Sequence, residues 1–308
     1  MLVAAMAVGA CQSDEFVSDT DVVLQFSGSR LDFDTLFAPL GSATAYFTVH
    51  NTSSQNIVIQ QVRLSKGENS PFRINVNGQA NEALSVRLAK KDSLFVFVEV
   101  RKNEMLLLSD SVQFNVGGHW QYFPLRAYSR DAVVVNDTVY AQNVNFSNEK
   151  PYLFLNNVVI KNNAAVTVQE GAQLLFDWNK GVRIEGLLQV NGSAARPVLF
   201  ANLRYREAWY AQPGQWQGFT FAGGSKNNRI AWAQIQGTTV GILIKNSSPS
   251  ADTQLTLSHS ALLYTQHHLC VTGGRVVVDS SLFLDNKNEI KLIYETIFVP
   301  HADSTMCL

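Results

Sequence analysis

The chain reads as an all-β protein, a β-sandwich followed by a parallel β-helix. Two observations carry this. Between Leu153 and Asn286 short apolar runs return at a spacing of roughly two dozen residues, and a fixed period of that size favours a solenoid. Between residues 18 and 130, apolar and alternating runs are separated by turn-forming residues, the pattern of short antiparallel strands. Composition agrees: the 308 residues are 46% hydrophobic and 16% charged. That is enough apolar material for more than one core and too little charge for a disordered chain.

The first segment, residues 1–17, is a leader and tether. Residues 2–10 are small and apolar, and they end at Cys11; Gln12-Ser-Asp-Glu15 then turns abruptly polar. This is the end of a secretory signal peptide, and Val8-Gly9-Ala10-Cys11 resembles the lipobox of bacterial lipoproteins. The resemblance implies lipidation of Cys11 and a membrane partner reached through that lipid; two or more acyl chains anchor stably where one is marginal. The usual basic region is missing ahead of it, so the expectation is either a true start upstream or a trimmed leader. Ser13-Asp14-Glu15 is similar to the export signal of surface-exposed lipoproteins in Bacteroidota, implying an outer-membrane or cell-surface location.

Residues 18–130 follow as an immunoglobulin-like sandwich. Tyr46–His50, Ile57–Leu64, Phe72–Val76, Leu84–Leu88, Leu94–Val100, Ser111–Val116 and Trp120–Tyr128 are the expected strands. Asn51–Ser54, Lys66-Gly67, Asn77-Gly78 and Gly117-Gly118 are the turns between them, and about seven short strands suit this fold. The alternation Phe95-Val-Phe97-Val-Glu99-Val places apolar groups on both faces and predicts a strand covered on each side. Phe47-Thr-Val-His-Asn-Thr52, Ile57-Val-Ile59, Ser70-Pro-Phe72-Arg-Ile74 and the lead-in Leu31-Asp-Phe-Asp-Thr-Leu-Phe37 resemble the Ig-like modules, of the abnormal-spindle/hydin type, that precede β-helices in Bacteroidota surface lipoproteins. The resemblance implies a fold, a location and a right-handed β-helix; it carries no activity.

Residues 131–150 read as a linker, with Pro151 marking the first coil. Residues 151–290 are the β-helix. Val158–Ile160, Val166–Val168, Leu174–Phe176, Val182–Ile184, Leu187–Val190 and Val198–Phe200 are its strands, punctuated by Gly, Asn and Asp. Leu255-Thr-Leu257-Ser-His-Ser260-Ala-Leu262-Leu263 aligns with Val276-Val-Val278-Asp-Ser-Ser281-Leu-Phe283-Leu284 at an offset of 21 residues. Ile230-Ala-Trp232-Ala-Gln-Ile235 fits the same frame 25 residues upstream. Coils stacked about 4.8 Å apart would set Leu255 over Val276 and Leu257 over Val278. From Lys291 the pattern breaks, and residues 291–308 are expected to be an irregular, truncated tail.

Several function classes are excluded or weakened. Net charge is −1 with no basic stripe, so nucleic acid is not a partner. Three cysteines, an odd and sparse set, argue against a disulfide framework. His267 and His268 precede Cys270, but neighbours on a strand face opposite ways, so no metal site is expected and no cofactor. The histidines lack a nucleophile motif, and Gly223-Gly224-Ser225 lacks a phosphate-loop lysine.

Three functional readings remain: a polysaccharide-active enzyme, a surface binding module, and a purely structural spacer with no concave or aromatic-lined site. Many β-helices cleave acidic polysaccharides, which raises a lyase or glycosidase by analogy. The acids Glu170, Asp177, Glu185, Glu207, Asp279, Asp285 and Glu289 are dispersed at turns, without the carboxylate pair that glycoside hydrolysis needs. The favoured reading is therefore a non-enzymatic binding or adhesive surface module, its partner a glycan or another surface protein. A ligand site, if the module has one, is expected at the insertion with Arg204, Tyr205, Arg206, Trp209, Tyr210 and Trp216. The favoured role of its Trp209 and Trp216 is nevertheless structural, pinning a loop against the solenoid side: Pro213-Gly-Gln-Trp-Gln-Gly218 resembles a recurrent element of such lipoproteins. Thr35, Ser93, Ser111 and Thr138, each after Asp and before an aliphatic residue, resemble O-glycan acceptors of exported Bacteroidota proteins. Asp-Ser also commonly opens a strand after a turn.

Overall fold

A computed structural model describes residues 15–41, 44–101, 107–204, 211–246, 252–284, 290–301 and 304–308, with backbone alone at 34, 35 and 290. Among these residues regular structure is all strand, save one 3-10 turn at Gly67–Asn69. The chain divides into two units, Met1–Arg130 and Asp131–Leu308.

The first unit has two sheets. A five-stranded sheet runs in the order Gln25–Phe26, Ala45–His50, Ser93–Val100, Phe72–Val76, Gln79–Ala80. A six-stranded sheet is built around Asn56–Leu64, Leu107–Val116 and His119–Arg130, with Leu31–Phe37, Glu82–Leu88 and Phe16–Val17 at its margins. Each of the seven expected runs lies in one of these strands. Asn77-Gly78 and Gly117-Gly118 close two-residue hairpins and all four have positive φ, the geometry that suits the twist of the flanking strands. Period-2 alternation sends Phe47, Phe72, Ile74 and Val96 of one sheet into a single core with Val62, Val112, Phe114 and Phe123 of the other. Phe47 stacks on Phe123 at 3.8 Å across that core. The strand Ser93–Val100 is not covered on both sides. Its valines are buried, while Phe95 and Phe97 remain 48% and 43% exposed.

The second unit begins earlier than the sequence suggested. Val133–Val135, Val139–Tyr140 and Val144–Phe146 pair in parallel with Tyr152–Phe154, Val158–Ile160 and Ala165–Gln169. Residues 131–150 are thus the first coil rather than a linker. Strands of two and three residues, separated by Asn and Asp, look like loop in a one-dimensional reading. Tyr140 and Phe146 belong to the unit's core, and burial, with the Asp137 charge second, pushes the Tyr140 phenol up to about 12.

From there the strands form two sheets of thirteen and seven strands whose internal pairings are parallel up to the last two strands. Hydrogen bonds between equivalent turns span 22 residues at Ala165–Asn143, 24 at Lys161–Glu185, 27 at Ala233–Ser260 and 21 at Ser260–Ser281. This is the pairing of stacked coils, consistent with a β-helix. Inward ladders follow: Val158, Val182, Phe219, Ile242 and Leu269 on one side, Tyr152, Leu174, Phe200, Ile235, Leu262 and Phe283 on another.

Leu255 faces Val276 and Leu257 faces Val278. Ile230, however, faces Leu257, and Asn228 takes the place over Leu255. A slip of two residues keeps every side chain on its own face, so the apolar pattern alone does not detect it. Asn228 fits there because its buried amide is fully used. Its Oδ1 accepts from Leu188 N–H at 2.7 Å, and its Nδ2 donates to Gln254 O and Ser225 Oγ. One corner also repeats: Trp232, His259 and Ser280 all have left-handed φ, and the Trp232 ring stacks on His259 at 4.5 Å.

The tail is not irregular. Ile290–Val299 runs antiparallel along Gly274–Leu284, and Thr305–Cys307 runs antiparallel to His267–Thr272. What breaks at Lys291 is strand direction, not strand structure. Cys270 and Cys307 sit opposite each other in that last pairing and are joined by a disulfide. The count of cysteines hid this pair, because Cys307 lay in a stretch read as unstructured and Cys11 made the total odd.

Candidate functional site

Of the six insertion residues expected to meet a ligand, Tyr205, Arg206, Trp209 and Tyr210 lie outside the described residues, and Arg204 is exposed on the way into the insertion. Trp216 is not a ligand contact: it is fully buried. Its indole stacks on Phe176 at 4.3 Å and 5°, meets Phe219 edge-on at 5.5 Å, and donates Nε1–H to Gln236 O at 2.8 Å. Gly214 N–H and Gln215 N–H bond to Thr238 O and Gly237 O, so this segment lies on the coil that follows it. Gly218 has φ +82, and a Cβ there would meet Val240 O at 1.8 Å. The Pro-Gly-Gln-Trp-Gln-Gly element is therefore a re-entry device in which Trp216 and Gly218 have packing roles. Beside it, Trp178 is 60% exposed on a turn that Gln215 and Gln217 bond to; the sequence reading did not single it out.

The clearest exposed aromatic surface lies on the first unit. Tyr46 faces Phe97 across neighbouring strands, and Thr48 faces Phe95. Tyr46 is 58% exposed and its ring lies 5.6 and 6.1 Å from those of Phe95 and Phe97, which stack on each other at 6.4 Å and 20°. Polar rows flank the rings. On one side, His50 Nδ1 shares a 2.6 Å hydrogen bond with Ser93 Oγ, and its Nε2 shares one of 2.9 Å with Thr48 Oγ1; His50, Gln25, Asn51 and Lys91 border a surface cleft of about 430 Å³. On the other side stand Thr44, Glu99, Arg73 and Asn75 around a cleft of about 260 Å³. The signal was present in Phe95-Val-Phe97, but a one-dimensional pattern cannot say which of two apolar faces is left open. The six-stranded sheet also exposes Tyr122 and Tyr128. Its Trp120 is already covered by the Arg63 guanidinium at 4.6 Å, so it offers no comparable cluster.

The remaining candidates are placed as follows. Cys11 and the neighbouring export residues Ser13 and Asp14 lie outside the described residues, as do Glu207, Asp285 and Glu289. Thr35 lies in the strand Leu31–Phe37, its side chain undescribed. Ser93 and Ser111 are half-buried, each N–H bonded to the preceding Asp carboxylate at 2.7 Å, and Thr138 is exposed. His267 is exposed while His268 is buried against Phe283. Among the described residues no three His, Cys, Asp or Glu side chains converge on one point.

Glu185 accepts from Arg183 and Lys161 at 3.0 and 3.1 Å, and these two cations, Arg183 first, hold its carboxyl below the usual range. Glu170 is held low by Ser193 and then Arg196. A general acid in glycoside cleavage needs its pKa raised, so neither carboxyl suits that task. Asp177 and Asp279 accept local bonds, from Trp178 N–H and Ser280 Oγ–H.

No family model and no curated protein matches this chain. Among solved structures it is similar to the ASH/PapD-like domain of human CEP192 (PapD-like domain 7), at 14% identity and a TM-score of 0.25, over 43% of this chain and 98% of that one.

Proposed function

We propose that this chain is a non-enzymatic binding module displayed at a cell surface, with an Ig-like sandwich and a right-handed β-helix, tethered through a lipid on Cys11. Its ligand is carbohydrate, and the contact is the outer face of the five-stranded sheet. The observation that carries this reading is the exposed cluster of Tyr46, Phe95 and Phe97 between two polar rows. Exposed rings grouped on one sheet face mark an interaction surface, and the C–H face of a sugar packs on an aromatic ring while its hydroxyls reach polar side chains at the rim. The Cys270–Cys307 disulfide supports an exported location, because such bonds persist in oxidising compartments and are rare in the cytosol. The resemblance at Val8–Cys11 and in the strands of residues 31–74 supports a surface lipoprotein like those of Bacteroidota.

A glycan array probed with the full chain tests the reading, followed by incubation with the glycans it retains. Expected is retention without cleavage, lost in Phe95→Ser. Release of shortened sugars would replace it with a polysaccharide-active enzyme. Metabolic labelling with a fatty acid, present in the parent and absent in Cys11→Ser, checks the tether.

A further inference from the structure

We infer that the cleft beside Phe97 is a subsite for one neutral hexose, in which Arg73 and Glu99 grip a pair of adjacent hydroxyls. The inference rests on the aromatic face being the ligand surface and adds which sugars it takes. Arg73 lies directly across from Glu99, and Asn75 across from Phe97. All four side chains therefore stand on the same outer face, two rows deep. With Thr44 and Asn81 they line the cleft of about 260 Å³.

The hydrogen-bonding capacity left over there is specific. Thr44 Oγ1 donates to Glu99 Oε1 at 2.6 Å, which steadies the carboxylate, and among the described residues Oε2 has no hydrogen-bond partner. Asn75 Oδ1 accepts from Gly78 N–H at 3.0 Å in the hairpin, so its acceptor is used and its Nδ2 donors are what it can offer a ligand. Arg73 takes part in none of the ion pairs among the described residues. The cleft thus offers a guanidinium fork and an amide as donors, one carboxylate oxygen as acceptor, and the Phe97 ring as floor. A hydroxyl can donate and accept at once, so two adjacent hydroxyls satisfy both Glu99 and Arg73. A sugar carboxylate would find the Arg73 fork but would lie against Glu99, a like charge a few ångströms away. The pair Arg73–Glu99 has no net charge, and neutral polyols suit it better than uronic acids.

The test uses the full chain in NMR titrations with methyl glucoside, methyl mannoside, methyl galactoside and methyl glucuronide, together with the glycan array. Expected is saturable binding of at least one neutral glycoside, with shifts at Phe97 and Arg73. Arg73→Gln and Glu99→Gln should each weaken it about tenfold, the usual cost of a hydrogen bond to a charged group, and the glucuronide should bind no tighter. Both residues are exposed, so unchanged thermal midpoints confirm that the variants fold. Tighter binding of the glucuronide, improved further by Glu99→Gln, would overturn the neutral-sugar assignment and leave the aromatic surface standing. So would array binding lost in Phe95→Ser but unaffected by Arg73→Gln. Binding to no glycan at all would overturn both.

Discussion

Trp216 and Phe95 are both aromatic, and the structure gives them opposite roles. The Trp216 indole is sandwiched between coils, on Phe176 and against Phe219, with its N–H satisfied. Trp216→Ala should cost about 3–5 kcal/mol, the range for large aromatic truncations in a core, read as a fall in the urea midpoint of the second unit. Phe95→Ser on the open face should change stability by less than about 0.5 kcal/mol while abolishing glycan retention. Sequence reading placed Trp216 in the candidate ligand set and Phe95 on a strand covered on both faces, because residue type does not report exposure. Glu185 makes a pH prediction. Its carboxyl lies below its ordinary 4.5 in the folded chain, through Arg183 first and Lys161 second. The folded state therefore gains from this group above the unfolded pKa, and the gain disappears as pH falls through the folded value. Urea midpoints of Glu185→Gln should lie below the parent at pH 7 and converge with it in acid, once pH has fallen through the lowered folded-state value, by the linkage between protonation and folding. Equal gaps at both pH values would show that the ion pairs are irrelevant to stability.

At the scale of elements, the strand Thr305–Cys307 is three residues long, and its side chains are exposed. Three backbone pairs, the backbone bonds of Leu308 to His268 and Leu269, and a Thr272–Thr305 hydroxyl contact hold it, and the Cys270–Cys307 bond adds the covalent fastening. Cys307→Ser should lower the stability of the second unit by about 2–4 kcal/mol. Limited proteolysis should then cut first between Val299 and Thr305. This strand was illegible in the sequence: Thr305-Met-Cys307 has no period, and its partner is an antiparallel strand 37 residues away by the disulfide. The repeat at Leu255 and Val276 was legible because a ladder needs like residues at a constant spacing. The first coil escaped because its strands are too short to show alternation, and Asn228 escaped because a polar residue replaced an apolar rung. The tail's outward Leu292, Tyr294 and Phe298 are exposed along the strand Ile290–Val299. Exposed apolar groups on such an end strand favour pairing with another chain.

At the scale of the molecule, the buried apolar side chains among the described residues form two cores, one within each unit. Calorimetry should therefore resolve two transitions, and Trp216→Ala should move only one of them; a single shared transition that shifts as a whole would contradict this. The candidate site was only partly visible at this scale. The residues from which a location was proposed form local motifs, whereas the aromatic face depends on which side of a sheet the rest of the unit leaves open. In a stack where each coil touches only its neighbours, order is lost from an end inward. The sulfur–sulfur pin at Cys270 and Cys307 closes one such entrance. Cleaving that pin with a reductant should therefore speed amide exchange first in Thr305–Cys307 and in the strand His267–Thr272 that it pairs with, and unchanged exchange there would show that the pin closes nothing.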